Sequence, residues 1–370
     1  MPLILRTAHW VTGSLRAING GYRMIESEDR KCVYVVGAGF SAALGYPLTT
    51  DLLYRLWDRL DENLRDPLEK VIQFHHPNFS TKNFASFPNI EAIMSEMLVN
   101  AQLFNASRQY TGNFKESDLL RLQRDFLLSI SDWFHEISQN HISPAPWLSQ
   151  FKNRVYEENA AIISFNWDLE LDRLLFTRGI NGQNYGLDFP PCASNGPILL
   201  KPHGSLNWFE AKNIQNLKKK KLVEIHSTRG ANSVYAFSRF RAPISKKGNT
   251  YLPLIVPPVY LKGFKEPIFT TLWQRCTSVL STARTIVFIG YSMPMADLHA
   301  QFIVRCGFHN QQEGELTSSG KRNSATGCAK IIIVNPDRAA AERIKAVAGP
   351  SHGCEWVSKP VAEWVQETTK

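Results

Sequence analysis

Five short runs of consecutive apolar residues, rich in Val and Ile, punctuate the chain, and each run ends in small or polar residues. The runs are Cys32–Val36, Ala160–Ser164, Ile198–Leu200, Thr285–Ile289 and Lys330–Val334. Continuous runs of this kind are typical of strands that are buried on both faces of a parallel sheet. A helical pattern follows most of them, as at Ala339–Val347. We therefore predict an α/β fold, a parallel sheet with helices on both faces.

Two stretches interrupt this alternation of strands and helices. Residues 62–150 place apolar side chains at helical spacing, for example at Ile90 and Met94, and predict a helical module. Residues 209–256 combine β-prone runs with many basic residues and predict a basic β-rich insertion. The Gly-, Ser- and Asn-rich segment Gln311–Gly327 predicts an exposed loop.

Composition places the chain among globular proteins. Of its 370 residues 44% are hydrophobic and 20% charged, which excludes the disordered and low-complexity classes. No apolar run approaches the roughly 18 to 20 residues that a membrane span needs, so we expect no membrane partner. The six cysteines form no CxxC pair, which argues against a zinc ribbon and is typical of free thiols in a reducing, cytoplasmic location.

The net charge of +9 is concentrated in one segment. Ten basic residues stand against one acidic residue between Lys212 and Lys247, so this segment alone accounts for the excess. Such a patch suits nucleic acid or an acidic partner subunit, and it equally suits a solvated hairpin tip. Residues 1–30 hold no acidic residue before Glu26 and predict a short amphipathic N-terminal extension that serves as an oligomer contact.

A glycine loop follows the first predicted strand. Gly37-Ala38-Gly39-Phe40-Ser41-Ala42 matches the pattern GxGxxG/A between a strand and a helix. Small residues there let backbone N–H groups approach a pyrophosphate, whose charge the start of the helix offsets. The chain lacks the acidic residue that closes a second strand about 20 residues later in dehydrogenases, so we do not expect an ordinary dehydrogenase half-domain.

Five motifs in this order resemble the NAD-binding signatures of sirtuins. They are Gly37-Ala38-Gly39-Phe40-Ser41, Ser164-Phe165-Asn166-Trp167-Asp168, His203-Gly204-Ser205, Gly290-Tyr291-Ser292 and Val334-Asn335-Pro336-Asp337. The segments Leu200–Trp208, Leu254–Tyr260 and Gly290–His299 are more similar still to the sirtuin-like NAD-hydrolase family of prokaryotic antiphage defence systems. The resemblance spans about residues 31–338 and implies one sirtuin-like NAD-binding domain over residues 31–370. It implies that the parallel sheet with helices on both faces is a Rossmann-like parallel sheet, with the helical module as an insertion.

The resemblance implies a set of site residues around NAD+, which is the substrate, with no metal. Asn166 positions a water, Asp168 faces the nicotinamide ribose and His203 is the base acting through ribose hydroxyls. The implied cofactor-binding residues are Gly37, Ala38, Gly39, Phe40, Ser41, Gly290, Tyr291, Ser292 and Asn335. The residue types suit the chemistry, because an imidazole accepts a proton near neutral pH and a carboxamide orients water without becoming a nucleophile.

Two departures from deacylating sirtuins favour water over an acylated lysine as the acceptor. Those enzymes carry a four-cysteine zinc module, and they carry an Asp-Phe-Arg run where this chain has Pro47-Leu48-Thr49-Thr50-Asp51. We therefore predict hydrolysis of NAD+ to nicotinamide and ADP-ribose by a regulated antiphage effector. A sensor or regulatory subunit that binds NAD+ or ADP-ribose with little turnover, and an NAD-dependent protein deacylase, are the alternatives. The resemblance also implies a homo-oligomer and an ATPase or nuclease partner subunit.

Overall fold

The computed structural model describes most of the chain. The described residues are 30–106, 116–140, 145–177, 179–187, 196–212, 214–227, 232–238, 252–256, 267–295, 297–316 and 319–368. The predicted N-terminal extension lies outside these ranges except for Arg30. The C-terminal part of the predicted basic insertion is described only at residues 252–256.

The described residues form eleven strands in three sheets. The strands are β1 (Cys32–Val36), β2 (Ala161–Ser164), β3 (Ile198–Leu200), β4 (Gly204–Ser205), β5 (Trp208–Ala211), β6 (Leu222–His226), β7 (Ser233–Phe237), β8 (Leu254–Ile255), β9 (Thr285–Ile289), β10 (Lys330–Val334) and β11 (Cys354–Val357). Six of them make one sheet in the order β11-β10-β9-β1-β2-β3, and every neighbouring pair is parallel.

The strand order fixes where a ligand can bind. In the sheet, β2 and β3 lie on one side of β1, and the later strands β9, β10 and β11 lie on the other side. Counted along the chain, the six strands lie in the order 3-2-1-4-5-6, which is the Rossmann arrangement. In such sheets the crevice outside the carboxyl ends of the strands, where the order reverses, is the usual ligand site. Here that point lies between β1 and β9, and the predicted fold class is confirmed.

Burial explains which strands the sequence revealed. All residues of β1 and β2 are buried, which is why their sequences are apolar without alternation. The edge strand β11 is only partly buried, and its sequence Cys-Glu-Trp-Val mixes polar and apolar residues. The analysis of apolar runs therefore missed this sixth strand.

Twelve helices surround the sheets in the described residues. The helices are α1 (Ala38–Ala42), α2 (Leu52–Trp57), α3 (Glu62–His75), α4 (Ile90–Ala106), α5 (Glu116–Asn140), α6 (Pro146–Glu157), α7 (Glu170–Leu175), α8 (Leu217–Lys220), α9 (Pro267–Thr282), α10 (Leu298–Glu313), α11 (Arg338–Ala348) and α12 (Val361–Thr368). Helices α3, α4 and α5 occupy the range of the predicted helical module, and their buried apolar residues belong to the same core cluster as the sheet.

The predicted loop Gln311–Gly327 was wrong at its start. Helix α10 continues to Glu313, and the side chain of Gln311 is fully buried. The Gln311 amide donates to the carbonyl oxygen of Leu280 at 2.6 Å and accepts from the backbone N–H of Ala329 at 2.9 Å. A buried side-chain amide costs little folding free energy when its N–H and its carbonyl oxygen are both hydrogen-bonded. Composition alone does not show whether such a glutamine is buried or exposed.

The basic insertion contains a small sheet of its own. Strands β5, β7 and β6 are antiparallel and enclose a separate apolar cluster built on Phe209, Leu222, Tyr235 and Phe237. The short helix α8 presents its lysines to solvent between β5 and β6. Among the described residues, no helix has the length and apolar character to cross a membrane.

Candidate active site

One cavity of about 780 Å³ opens at the carboxyl ends of the central strands. Eleven of the twelve predicted site residues line it, although they come from five separate segments of the chain. These eleven are Gly37, Ala38, Gly39, Ser41, Asn166, Asp168, His203, Gly290, Tyr291, Ser292 and Asn335. The helical module contributes Glu91 and Phe134 to the same wall.

The glycine loop packs directly against the end of β9. The backbone N–H of Gly37 donates to the carbonyl oxygen of Ile289 at 3.1 Å, and that of Gly39 donates to Gly290 at 2.8 Å. A Cβ atom on Gly290, whose φ is +57°, would lie 2.5 Å from the carbonyl carbon of Gly39. Glycine is therefore required here because two backbones touch at the switch point, a reason that the sequence pattern did not reveal.

Phe40 is the predicted site residue that the structure does not bring into the cavity. Its side chain is fully buried and packs against Trp147 and Phe151, with ring centroids 5.2 and 5.3 Å apart. Its backbone N–H donates to the carbonyl oxygen of Gly37 at 3.0 Å. The ring anchors the short helix α1 to the core, so its place in the motif is explained by packing.

Asn166, Ser41 and Asp168 form a connected polar network in the cavity wall. Asn166 Nδ2 donates to the carbonyl oxygen of Gly37 and to Ser41 Oγ, both at 2.9 Å. Ser41 Oγ donates to Asp168 Oδ2 at 2.6 Å. Burial raises the pKa of Asp168 above its ordinary value, although the Lys201 charge and the Ser41 hydrogen bond act in the opposite direction. Neither Asn166 nor Asp168 occupies the N-cap position of α7, which is Leu169, although Asp168 Oδ1 accepts from the backbone N–H of Glu170 at 3.1 Å.

A fully buried lysine connects the ends of β2 and β3. Lys201 Nζ donates to the carbonyl oxygen of Asp168 at 2.6 Å, to Asp172 Oδ2 at 3.0 Å and to Ser205 Oγ at 2.7 Å. An ammonium group has three donors, and all three are used. Tyr185 OH donates to the other oxygen of Asp172, so that carboxylate is also paired. Sequence reasoning missed this role, although a lysine between Leu200 and a proline is an unusual neighbour for a buried strand.

His203 follows β3 two residues after Lys201, and it is mostly buried. Its Nε2 lies 3.3 Å from Asp297 Oδ2, and Phe165 packs edge-on against its ring at a centroid distance of 4.9 Å. Tyr291 stacks on Phe165 at 4.6 Å and donates its hydroxyl to Asp297 Oδ2 at 3.3 Å. Burial raises the pKa of Tyr291 well above its ordinary value, so this phenol stays protonated. Sequence analysis did not select Asp297, although it lies in the quoted motif Gly290–His299.

The opposite side of the cavity, at β9 and β10, carries basic side chains. Arg343 Nε donates to the carbonyl oxygen of Ser292 at 2.8 Å, and Arg343 and Lys359 both line the cavity. Asn335 Nδ2 donates to the carbonyl oxygen of Tyr291 at 3.2 Å, which ties the end of β10 to the end of β9. The cavity therefore has carboxylate and amide groups after β2. After β10 it has the amide of Asn335, the carboxylate of Asp337 and the basic side chains of Arg343 and Lys359, with Arg343 3.6 Å from Asp337.

The described residues show neither a metal-ligand cluster nor a disulfide. Among the described residues, no group of three or more His, Cys, Asp and Glu side chains is placed to hold a metal ion. The five cysteines of the described ranges are free thiols, and Cys32 and Cys276 are buried.

Comparison with known proteins gives structural neighbours only. No protein-family model matches the sequence, and no curated protein matches it. Among solved structures, the chain is similar to a sirtuin studied for substrate affinity, with 13% identity, a TM-score of 0.38, and coverage of 91% of this chain and 92% of that chain. It is similar to a Sir2 enzyme studied for mechanism and regulation, with 15% identity, a TM-score of 0.41, and coverage of 93% and 94%.

A mutant Sir2 homologue in complex with ADP-ribose is a third neighbour. It shares 14% identity with a TM-score of 0.40, and the match covers 94% of this chain and 95% of that chain. These TM-scores are low, so the Rossmann assignment rests on the strand order of the chain itself.

Proposed function

We propose that the cavity binds NAD+ and hydrolyses the bond between nicotinamide and ribose. One observation carries this proposal: a carboxamide, a carboxylate and an imidazole from distant parts of the chain line one cavity at the carboxyl ends of a Rossmann sheet, next to its switch point. They are Asn166, Asp168 and His203. Ligand sites of doubly wound sheets lie at this place, and the three groups suit proton transfer and water positioning.

The charges of the cavity favour one orientation of NAD+. The nicotinamide ring carries a positive charge, and charge also develops on its ribose as the ring leaves. Asp168, which follows β2, and Asp297, which precedes α10 and lies beside His203, line the part of the cavity that would receive this end. The diphosphate and the adenosine half extend toward β9 and β10, where Arg343 and Lys359 line the wall. The acidic groups therefore favour the cationic end. Arg343, which pairs with Asp337, and Lys359, which pairs with Glu363 and Glu367, supply N–H donors for the anionic centre of the molecule.

Asn166 is arranged to hold the attacking water. Its two amide hydrogens are used by Gly37 and Ser41, which leaves the amide oxygen Oδ1 to accept a hydrogen bond. A water that donates to Oδ1 presents a lone pair to the ribose carbon as nicotinamide departs. The carboxamide itself is a poor nucleophile, so water forms the new C–O bond.

His203 completes the proton balance of the reaction. The C–N bond to nicotinamide breaks, its electron pair stays with the neutral nicotinamide, and the water oxygen forms the new bond to the ribose carbon. One water proton must leave, and His203 accepts it, directly or through a ribose hydroxyl. The products are nicotinamide, ADP-ribose and one proton, and the imidazole releases the proton to solvent.

The proposed biological role is that of a regulated effector in antiphage defence, and the motif resemblance supports it. Unregulated loss of NAD+ would harm the host cell, so a device that controls the cavity is required. Glu91 and Phe134 of the helical module line the cavity. A displacement of this module by an oligomer contact, or by an ATPase or nuclease partner, would therefore change the cavity directly.

Chromatography of NAD+ reaction products tests the proposed reaction. The purified full chain is incubated with NAD+ alone, with an added acylated peptide, and as the Asn166→Ala variant. We expect nicotinamide and ADP-ribose in equal amounts without peptide, and a loss of about 10²- to 10⁴-fold in the variant. Peptide-dependent nicotinamide release would identify a deacylase instead. Saturable NAD+ binding with no product, also after addition of phage lysate, would identify a binding subunit.

A further inference from the structure

Asp297 lies next to the imidazole of His203. Its side chain is almost fully buried, and its Oδ2 lies 3.3 Å from His203 Nε2. The two residues come from different parts of the fold, since His203 follows β3 and Asp297 precedes α10. A carboxylate at hydrogen-bond distance from one nitrogen of a histidine ring determines which nitrogen carries the proton.

We infer that Asp297 is a positioning residue that holds the proton of His203 on Nε2 and directs the basic lone pair to Nδ1. The catalytic part of this inference rests on the proposed hydrolysis of NAD+. The structural part, the tautomer of His203, is independent of any turnover.

Hydrogen-bond accounting supports an acceptor role for Asp297. Tyr291 OH donates to Oδ2 at 3.3 Å, and the backbone N–H of Ala300 donates to Oδ1 at 3.3 Å. Tyr291 stays protonated because it is buried, so it acts as a donor. A carboxylate is acceptor-only, and in this role it requires an N–H on the facing nitrogen of His203. The neutral imidazole then has its acceptor lone pair on Nδ1.

The ring of His203 is also held against rotation. Phe165 packs edge-on against it, and Trp273 lies on a tilted plane with its centroid 6.4 Å away. The backbone carbonyl of His203 accepts from the N–H of Val256 at 2.9 Å, which fixes the main chain. Asp297 therefore acts on a ring whose plane is already set, and its own contribution is the choice of tautomer.

Asp297 itself is fixed by the end of β9. Tyr291 follows Gly290 directly, and its ring stacks on Phe165, so the hydroxyl reaches Asp297 from a defined position. Asp297 is also the N-cap of α10. The carboxylate of Asp297 therefore contacts both Tyr291, which follows Gly290 at the end of β9, and His203, which follows β3.

Nitrogen NMR of the imidazole, combined with kinetics, tests this inference. Protein labelled with ¹⁵N-histidine is measured at alkaline pH, where an imidazole is neutral, and the His203 signals are assigned with His203→Gln. Wild type should show a protonated Nε2 and an unprotonated Nδ1. Asp297→Asn should lose this preference, since an amide can either donate or accept.

The kinetic arm compares Asp297→Asn with Glu355→Gln, which removes one exposed acidic charge on β11. We expect Asp297→Asn to lower kcat for NAD+ by about 10²- to 10⁴-fold with little change in KM, and Glu355→Gln to behave as wild type. Asparagine is a good N-cap, so α10 should remain folded and thermal unfolding should change little. Asp297→Glu, which restores the carboxylate, should recover part of the rate.

The outcomes separate the inference from the proposed function. Equal tautomer populations in wild type and Asp297→Asn would overturn the inference even if NAD+ is hydrolysed. The expected tautomer shift in a protein that consumes no NAD+, also after addition of phage lysate, would support the positioning role and reject the proposed hydrolysis. A parallel fall in kcat and in the melting temperature, with an unchanged tautomer, would assign Asp297 a structural role only.

Discussion

The two sides of the cavity are built on different physical principles. At the β1 and β9 side, Gly37, Gly39 and Gly290 bring two backbones into direct contact, and close packing with uncharged backbone hydrogen bonds sets the geometry. At the β2 and β3 side, Lys201 and its partners set the geometry through charge and hydrogen bonds. The first side is suited to binding an extended ligand closely, and the second side to holding reactive groups in position.

This difference predicts how each side responds to substitution. A backbone contact tolerates no added atom but is insensitive to pH. A buried charge network is destabilised when one partner is removed, because the remaining charge stays buried without a counter-ion. Its stability also depends on the protonation of its members. Substitutions on the two sides should therefore destabilise the protein by distinguishable mechanisms.

The largest loss of stability is expected for Lys201→Met. The substitution leaves the fully buried Asp172 carboxylate without its counter-ion, which costs about 3–5 kcal/mol in the free energy of unfolding. Lys330→Met is the matched control, because Lys330 pairs with Glu355 at the surface and such pairs contribute about 0–1 kcal/mol. Denaturant unfolding of both variants checks the expectation, and equal losses would show that the network is not what holds the β2 and β3 side.

A somewhat smaller loss is expected for Gly290→Ala. The new Cβ would lie 2.5 Å from backbone atoms of Gly39 and Phe40, which cannot move away cheaply, and we expect about 2–4 kcal/mol of destabilisation. Gly349→Ala is the control, since Gly349 has a φ of +78° with no atom within 4 Å of its Cβ position. With a ψ of 174° its backbone is in a region that favours glycine, so Gly349→Ala should cost about 1–3 kcal/mol from backbone strain alone, less than Gly290→Ala, which adds the clash. If both variants lose the same free energy of unfolding in denaturant unfolding, close packing at the switch point is refuted.

The smallest expected effect is a pH dependence of the free energy of unfolding that arises from Asp168. Because burial raises its pKa in the folded state, its contribution to stability is fully present below the unfolded pKa of about 3.9 and is lost as pH rises through the folded pKa. Asp168→Asn has no such titration. The stability of wild type relative to this variant should therefore fall from about pH 4 upward, by at most about 1.4 kcal/mol per pH unit. Unfolding curves recorded across this range check it, and a constant difference would contradict the raised pKa.

The sequence predicted those parts of the fold whose signals are local. Strands β1, β9 and β10 are continuous apolar runs that were predicted with the bounds the structure shows, and β2 differs by one residue. Strand β11 was missed because an exposed edge strand needs no apolar run. Residues of the glycine loop, Asn166 and His203 were selected by motif, and the structure brings them into one cavity.

Pairings between distant residues were outside the reach of sequence patterns. Lys201 was not selected, because nothing local indicates that its three acceptors surround it. Asp297 was not selected as the partner of His203, because the contact depends on the packing of α10 against the sheet. Phe40 was selected by its place in the motif, but its side chain points to the core, since a motif does not specify the direction of each member.

The most direct test of the account is the rate of nicotinamide release by His203→Ala at saturating NAD+, with His309→Ala as control. His309 is an exposed histidine on α10. The account predicts a rate about 10²- to 10⁴-fold below wild type for His203→Ala, with NAD+ still bound, and a wild-type rate for His309→Ala. If a folded His203→Ala variant releases nicotinamide at the wild-type rate, the roles proposed for His203 as the base and for the cavity as the active site are contradicted.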